Sequence, residues 1–325
     1  MTEFLLLGNN GFSVQDNPEP SRWVGPLVEA GFTYFEYFTD HLDPGFYSNV
    51  LRRKSEFVRE TLRVIEKNGL ETVTIATGRL PYLTNLLSHP FDDMAEEGLR
   101  WCRGLADMAE VFGAKYITGH YDYITQQDLS RRPKLAVSRL LDRLVLFTDY
   151  AAKKGVEAVF LEQMYSPNLK PYTIEESKKM LRTLNRRSAI PVMLHLDCGH
   201  AAPVPESDKD HTAADKDPYK WLERRYPGGD MIFLHLQQTD RAASRHWAFT
   251  PERNRKGVIR ADKVIRSILK GAPRRAFLSF EMLYPRGTPL ELIGKELRES
   301  REYFRTAFEK MGFDVSTDLI RNRQG

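Results

Sequence analysis

The 325-residue chain is 41% hydrophobic and 28% charged, the composition of an ordinary globular protein with ample material for a core. Its 48 basic and 44 acidic side chains are interspersed and leave a net charge of +4, which argues against a nucleic-acid-binding face. No stretch nears the roughly 20 apolar residues of a membrane span, and Met1-Thr2-Glu3-Phe4-Leu5-Leu6-Leu7 is too short and lacks the cationic start of a signal peptide.

Along the chain a strand-like apolar run and then a helical period recur eight times. The runs fall at 4–8, 32–38, 71–76, 115–119, 157–162, 191–197, 231–236 and 276–281. The helical segments between them predict helices over 20–30, 51–68, 93–112, 133–154, 173–187, 216–226, 261–270 and 289–311. Leu140, Leu141, Leu144 and Phe147 carry the i, i+3, i+4, i+7 spacing of one helix face. Gly31, Gly69, Gly113 and Gly155 each stand where a helix ends and a left-handed residue is wanted. Thr173 with Glu176 reads as a capping box. Trp23, Trp101 and Trp221 sit in helical patterns and read as packing residues.

Continuous apolar strands alternating with helices mean a parallel sheet covered on its outer face. Eight such units predict an α/β chain whose residues 1–325 form a single (β/α)8 TIM barrel with long βα loops at its C-terminal face. Leu7-Gly8-Asn9-Asn10-Gly11 lacks the glycine spacing of a dinucleotide fold. The long polar tracts 83–92, 201–217 and 241–260 all follow strand ends, where this fold carries function. Two cysteines, Cys102 and Cys198, have no metal-pair spacing, and a reducing, cytoplasmic compartment is expected.

Four of the late strands end on residues able to bind a metal: Glu162, Asp197, His235 and Glu281, spaced by 35, 38 and 46 residues. One such residue is unremarkable. Four in register on consecutive strands would bury three acids together, which needs a compensating cation. Oxygen and imidazole donors suit one divalent ion: Mn2+, Co2+, Mg2+ or Zn2+. His200, just past the sixth strand, is better placed to contact substrate than to serve as a helix cap or core histidine, whereas Arg241, six residues beyond His235, reads equally well as holding substrate oxygens or as a surface ion pair with Asp240. Asn9, Glu36, His41, Arg79, Asn85, His89 and His120 stand near earlier strand ends. Glu36 alternates inward within Tyr34-Phe35-Glu36-Tyr37-Phe38, and a structural role for it is at least as good a reading as a functional one. Arg79, Asn85 and His89 could hold a phosphate or a sugar hydroxyl group as a cluster, although plain surface-loop residues are a slightly better reading. Trp247 is expected beside substrate.

The four ligand positions, the D-x-x-H segment at Asp197–His200 and the H-x5-R segment at His235–Arg241 resemble the xylose-isomerase-like barrel superfamily, above all its ketose 3-epimerase branch. The resemblance follows strand order along nearly the whole chain, with specific motifs only in the last four strands. It implies that Glu162 and Glu281 are metal ligands and also the acid/base pair, that Asp197 and His235 complete the shell, and that His200 and Arg241 hold the substrate. Thr84–Pro90, His235–Asp240 and His246-Trp247-Ala248-Phe249-Thr250 further resemble the tetrulose-phosphate (erythrulose-phosphate) epimerases, and Gln237, His246, Asn85, His89 and Trp247 within these segments are expected substrate contacts, as is His120 from its place at the end of the fourth strand. The implied reaction is C3 epimerisation of a ketose or ketose phosphate through a metal-stabilised cis-enediolate. A metal-dependent decarboxylase or dehydratase of a 3-oxo sugar acid is the main alternative. An AP-endonuclease-like DNA-repair enzyme fits less well, because few histidines stand at strand ends. Expected partners are a small sugar or sugar phosphate, with no nucleic acid and no membrane. Homodimers or homotetramers are the assemblies the resemblance implies.

Overall fold

Eight strands form a closed parallel barrel: β1 (Glu3–Asn9), β2 (Tyr34–Phe38), β3 (Glu71–Ala76), β4 (Tyr116–Gly119), β5 (Ala158–Gln163), β6 (Val192–Asp197), β7 (Met231–Leu236) and β8 (Arg275–Phe280). Each pairs with the next, and β8 returns to β1. This computed structural model describes residues 2–13, 17–202 and 210–322. The expected single (β/α)8 barrel is the observed fold. No helix of the described residues is long and apolar enough to cross a membrane.

The predicted helices appear over Pro20–Glu29, Glu56–Lys67, Asp92–Phe112, Pro133–Lys153, Ile174–Asn185, Pro218–Leu222, Ala261–Gly271 and Leu290–Lys310. Gly31, Gly69, Gly113 and Gly155 all adopt positive φ, as helix-terminating glycines do. The helix expected over 51–68 is two helices instead. The first, Pro44–Arg52, starts at Asp43, whose carboxylate accepts from the Gly45 N–H; the second starts at Ser55, whose hydroxyl accepts from the Val58 N–H. The Thr173 cap is present, but Glu176 reaches back to the Tyr172 N–H at 3.0 Å rather than to that of Thr173. The tract 241–260 is not wholly loop, since it folds a short helix over Pro251–Lys256. Part of the 201–217 tract lies outside the described residues.

Inward-facing residues fill the barrel. Tyr116, Phe160, Phe233 and Phe277 stack below the strand ends, with ring centroids 5.0–5.8 Å apart, and leave no channel under the site. A larger apolar layer between barrel and helices holds Trp23, Trp101 and Trp221, all buried as packing residues.

One feature of the barrel has no counterpart in the sequence pattern. A C-terminal hairpin, β9 (Phe313–Asp314) and β10 (Leu319–Asn322), pairs antiparallel with the start of β1. Buried Asp318 fastens it: its carboxylate accepts from the Thr33 N–H at 3.0 Å and meets Arg301 at 2.9 Å, while its carbonyl accepts from the Leu6 N–H. Asp318→Ala leaves the mostly buried Arg301 short of its counter-charge and is expected to cost about 3 kcal/mol in a urea titration. An unchanged midpoint would show that the hairpin adds nothing.

Candidate metal centre

Parallel register brings the four predicted ligands to one end of the barrel. Asp197 and His235 are direct neighbours across β6 and β7, Glu162 lies within β5, and Glu281 follows β8 immediately. All four are buried. Nδ1 of His235 is their meeting point: 3.1 Å from Glu281 Oε2, 3.6 Å from Glu162 Oε1 and 4.0 Å from Asp197 Oδ2. Asp197, His235 and Glu281 offer ligand atoms within 4.8 Å of one another, and Glu162 gathers in the same way with His195 and His235.

These residues fit a divalent cation. His235 Nδ1 is buried, lacks a well-aligned hydrogen bond and stands within 4.0 Å of three carboxylates, a donor set suited to such an ion. The electrostatics say the same. Burial disfavours charge on His235, but Glu281 and Glu36 outweigh it and hold its pKa well above the ordinary value. Burial likewise opposes ionisation of Glu281, yet His235 and His246 hold its carboxyl well below the usual range. In the metal-free protein a proton on His235 supplies positive charge that the carboxylates need, and a cation at Nδ1 displaces it.

The chain around the ligands fixes their oxygens. Asp197 caps the short helix Cys198–Ala201, with Oδ1 accepting from the N–H groups of Gly199 at 2.5 Å and His200 at 3.0 Å. Gln237 Nε2 donates to the same carboxylate at 2.9 Å. This approach requires Gly199, since a Cβ there would stand 2.2 Å from the Gln237 amide carbon. Tyr82 donates to Glu162 Oε2 at 3.1 Å, and burial followed by the neighbouring carboxylates keeps its phenol protonated. At the floor, buried Glu36 accepts from Asn9, Thr118 and Ser279, and its Oε2 lies 2.9 Å from His235 Nε2.

Several expected contacts reach the centre. His200 Nδ1 stands 3.5 Å from Glu162 Oε1, and its ring packs edge-on against Tyr165. His246 Nδ1 stands 3.3 Å from Glu281 Oε2; burial opposes its charge, but Glu281 outweighs it and pushes its pKa up to about 9. Gln237 binds the His246 N–H at 2.7 Å and pins that residue in a left-handed conformation, φ 49°. Above the ligands opens a cleft of about 350 Å³, walled by Phe38, Arg79, Tyr82, Leu83, Tyr165, His200, Ser244, His246, Glu281 and Leu283 among others.

Other expected residues do not converge on the ligands, although Arg79 does line the cleft. Arg241 is exposed with φ 72°, and Asp240 pairs with Arg245 instead. Trp247 packs under Arg245, and its backbone bridges Gln238, so Ser244 and His246 form that part of the wall. Arg79, Asn85 and His89 do not act as one cluster. Arg79 pairs with Asp40 at 2.9 Å, Asn85 ties its loop to Ser88 and the Tyr123 carbonyl, and His89 accepts from the Phe91 N–H. His41 packs on Trp23. Tyr82, Tyr165, Ser244 and His195 carry no spacing signal in the sequence: Tyr82 sits in a four-residue helix, Leu80–Leu83, Tyr165 and Ser244 in loops, and His195 reads as one more residue of an apolar strand.

His120 is fully buried beside Tyr82, with neither ring nitrogen paired, and burial pushes its pKa down to about 3. The folded protein refuses a proton that the unfolded chain accepts near 6.5. This residue therefore costs stability as pH falls below about 6.5 and continues to do so down to its folded value. His120→Leu is expected to gain on the wild type by about 1.4 kcal/mol per pH unit between pH 6 and 4 in paired urea titrations. A pH-independent difference between the two would contradict a neutral His120.

Comparison with known proteins agrees with this architecture. No match is found among curated protein sequences. Among solved structures, a protein from Rhodospirillum rubrum, provisionally named a xylose isomerase, superposes with a TM-score of 0.78 at 21% identity, covering 93% of this chain and 99% of that one. The D-psicose 3-epimerase of Clostridium cellulolyticum, solved with D-tagatose, gives 0.64 at 13% identity, covering 93% and 99%. An L-ribulose 3-epimerase gives 0.63 at 15%, covering 96% and 97%. At such identities the likeness speaks for the fold. The family profile named xylose isomerase-like TIM barrel matches residues 25–307, most of the chain, from within the first helix to within the last and including strands β2 to β8. With its eight-stranded barrel and that match, the chain belongs to the xylose isomerase-like TIM barrel family.

Proposed function

We propose that this chain is a divalent-metal-dependent epimerase or isomerase of a ketose or ketose phosphate, with C3 epimerisation as its outcome. The observation that carries the reading is the pair of buried carboxylates, Glu162 and Glu281, that both approach Nδ1 of His235, at 3.6 and 3.1 Å. Glu162, Asp197, His235 and Glu281 would hold the ion. When bound, such an ion polarises a ketose carbonyl and makes the adjacent C–H acidic. The protein's own groups do the rest. One glutamate takes the proton from one face of the carbon, and the other returns a proton to the opposite face. Tyr82 orients Glu162, and His246 flanks Glu281. His200 and Ser244 offer hydrogen bonds to sugar oxygens, while Phe38, Leu83, Tyr165 and Leu283 line the apolar part of the cleft mouth. The ketose 3-epimerase names of two structural neighbours agree with this choice.

The substrate should be sought among ketoses and ketose phosphates, tetrulose phosphates included, because Thr84–Pro90 and His246–Thr250 resemble epimerases of those compounds. Carbon NMR of the product is expected to show the C3 epimer with every carbon retained. Release of carbon dioxide or water from a 3-oxo sugar acid would assign the chain to the lyases instead.

A further inference from the structure

We propose that Glu36 is the positioning residue of the metal centre: its Oε2 holds the Nε2–H of His235 and thereby turns the Nδ1 lone pair toward Glu162, Asp197 and Glu281. The inference rests on the metal reading above.

Glu36 lies in β2, across the barrel from β7, and is fully buried. An ionised carboxylate accepts about four hydrogen bonds and donates none. Here the acceptors are committed. Thr118 Oγ1 donates to Oε1 at 2.6 Å; Ser279 Oγ donates to Oε2 at 2.7 Å and Asn9 Nδ2 at 2.8 Å. The orientation of the Asn9 amide is not arbitrary, because its Oδ1 accepts from the Gly11 N–H at 2.6 Å and leaves Nδ2 facing Glu36. The fourth neighbour of the carboxylate is His235 Nε2 at 2.9 Å. Facing an acceptor-only group, Nε2 must carry the hydrogen. Nδ1 is then the nitrogen free to take a cation, and it is the one that faces the other three carboxylates. Residues from β1, β4, β7 and β8 converge on this one side chain, so the ring is held in place as well as in tautomer.

The test has two arms. In 15N-histidine-labelled wild-type protein loaded with Zn2+, two-bond 1H–15N spectra are expected to show a protonated Nε2 and a metal-bound Nδ1 for His235. In Glu36→Gln, the amide places donors against Asn9 and Ser279 and lets Nδ1–H turn toward the carboxylates. The Kd for Co2+, read from its visible absorption, is expected to rise roughly 10- to 100-fold while circular dichroism stays that of the wild type. A metal bound through Nε2 in the wild type overturns the proposal, even where the variant does not fold; so does an unchanged Co2+ affinity in a folded variant. Failure of the wild-type chain to bind Co2+ at all would overturn the metal reading itself, and this inference with it.

Discussion

Glu162→Gln and Glu281→Gln are each expected to lower kcat/KM by about 10²- to 10⁴-fold, with more lost where the ion also leaves. Glutamine matches glutamate in shape, and its carbonyl can still accept the Tyr82 hydroxyl that now binds Glu162. The fold should therefore survive, and circular dichroism and Tm should remain close to wild type. What disappears is a base and a negative charge. The two variants differ in one further respect. Glu281 is the leading partner that keeps the His235 and His246 rings charged, so its loss lowers both of their pKa values, a change visible by NMR in the metal-free protein. Near wild-type epimerisation by either variant would remove the two-carboxylate mechanism.

Stripping the metal is expected to abolish turnover, and Mn2+, Co2+ or Mg2+ to restore it. The structural reason is the charge balance at the barrel mouth. Glu36, Glu162, Asp197 and Glu281 are four buried acids, with His235 at their centre. An ion bound only by the folded protein stabilises it by about 2.7 kcal/mol at a free concentration of 100 Kd, so loading should raise Tm by several degrees. The pH dependence has a fixed sign. The pKa of His235 lies well above its ordinary value in the metal-free fold, so the ion competes with a proton through the neutral range. Metal affinity must fall as pH falls. Full activity in metal-free protein would rule the centre out.

The barrel was legible because the strands are mostly short apolar runs, least so β2 and β3 with Glu36, Thr72 and Thr74 inside them, and the intervening helices have a clear face and, in several cases, a terminating glycine. The breaks in that reading have local causes. The helix Pro44–Arg52 begins at a side-chain cap on Asp43 inside a stretch rich in turn formers, and the β10 strand offers only Leu319 and Ile320 as apolar signal. At the site, Glu162, Asp197, His235 and Glu281 were legible because strand ends in a parallel barrel meet at one face. The role of Glu36 was not. Its partners, Asn9, Thr118, His235 and Ser279, are 27 to 243 residues away, and only closure of the barrel brings them together. Arg241 shows the converse limit: spacing after a ligand does not say which way a loop turns, and here Gln237 pins His246, rather than Arg241, beside Glu281.

The central claim is that carboxylates at this centre move a proton on a ketose carbon. Incubating the metal-loaded protein with ketoses and ketose phosphates in deuterated water tests it directly. The account predicts solvent deuterium at C3 of a substrate and its epimer, at equal carbon count, and none with metal-stripped protein. Turnover that leaves the C3 hydrogen unexchanged, or that proceeds with loss of carbon dioxide, would contradict it.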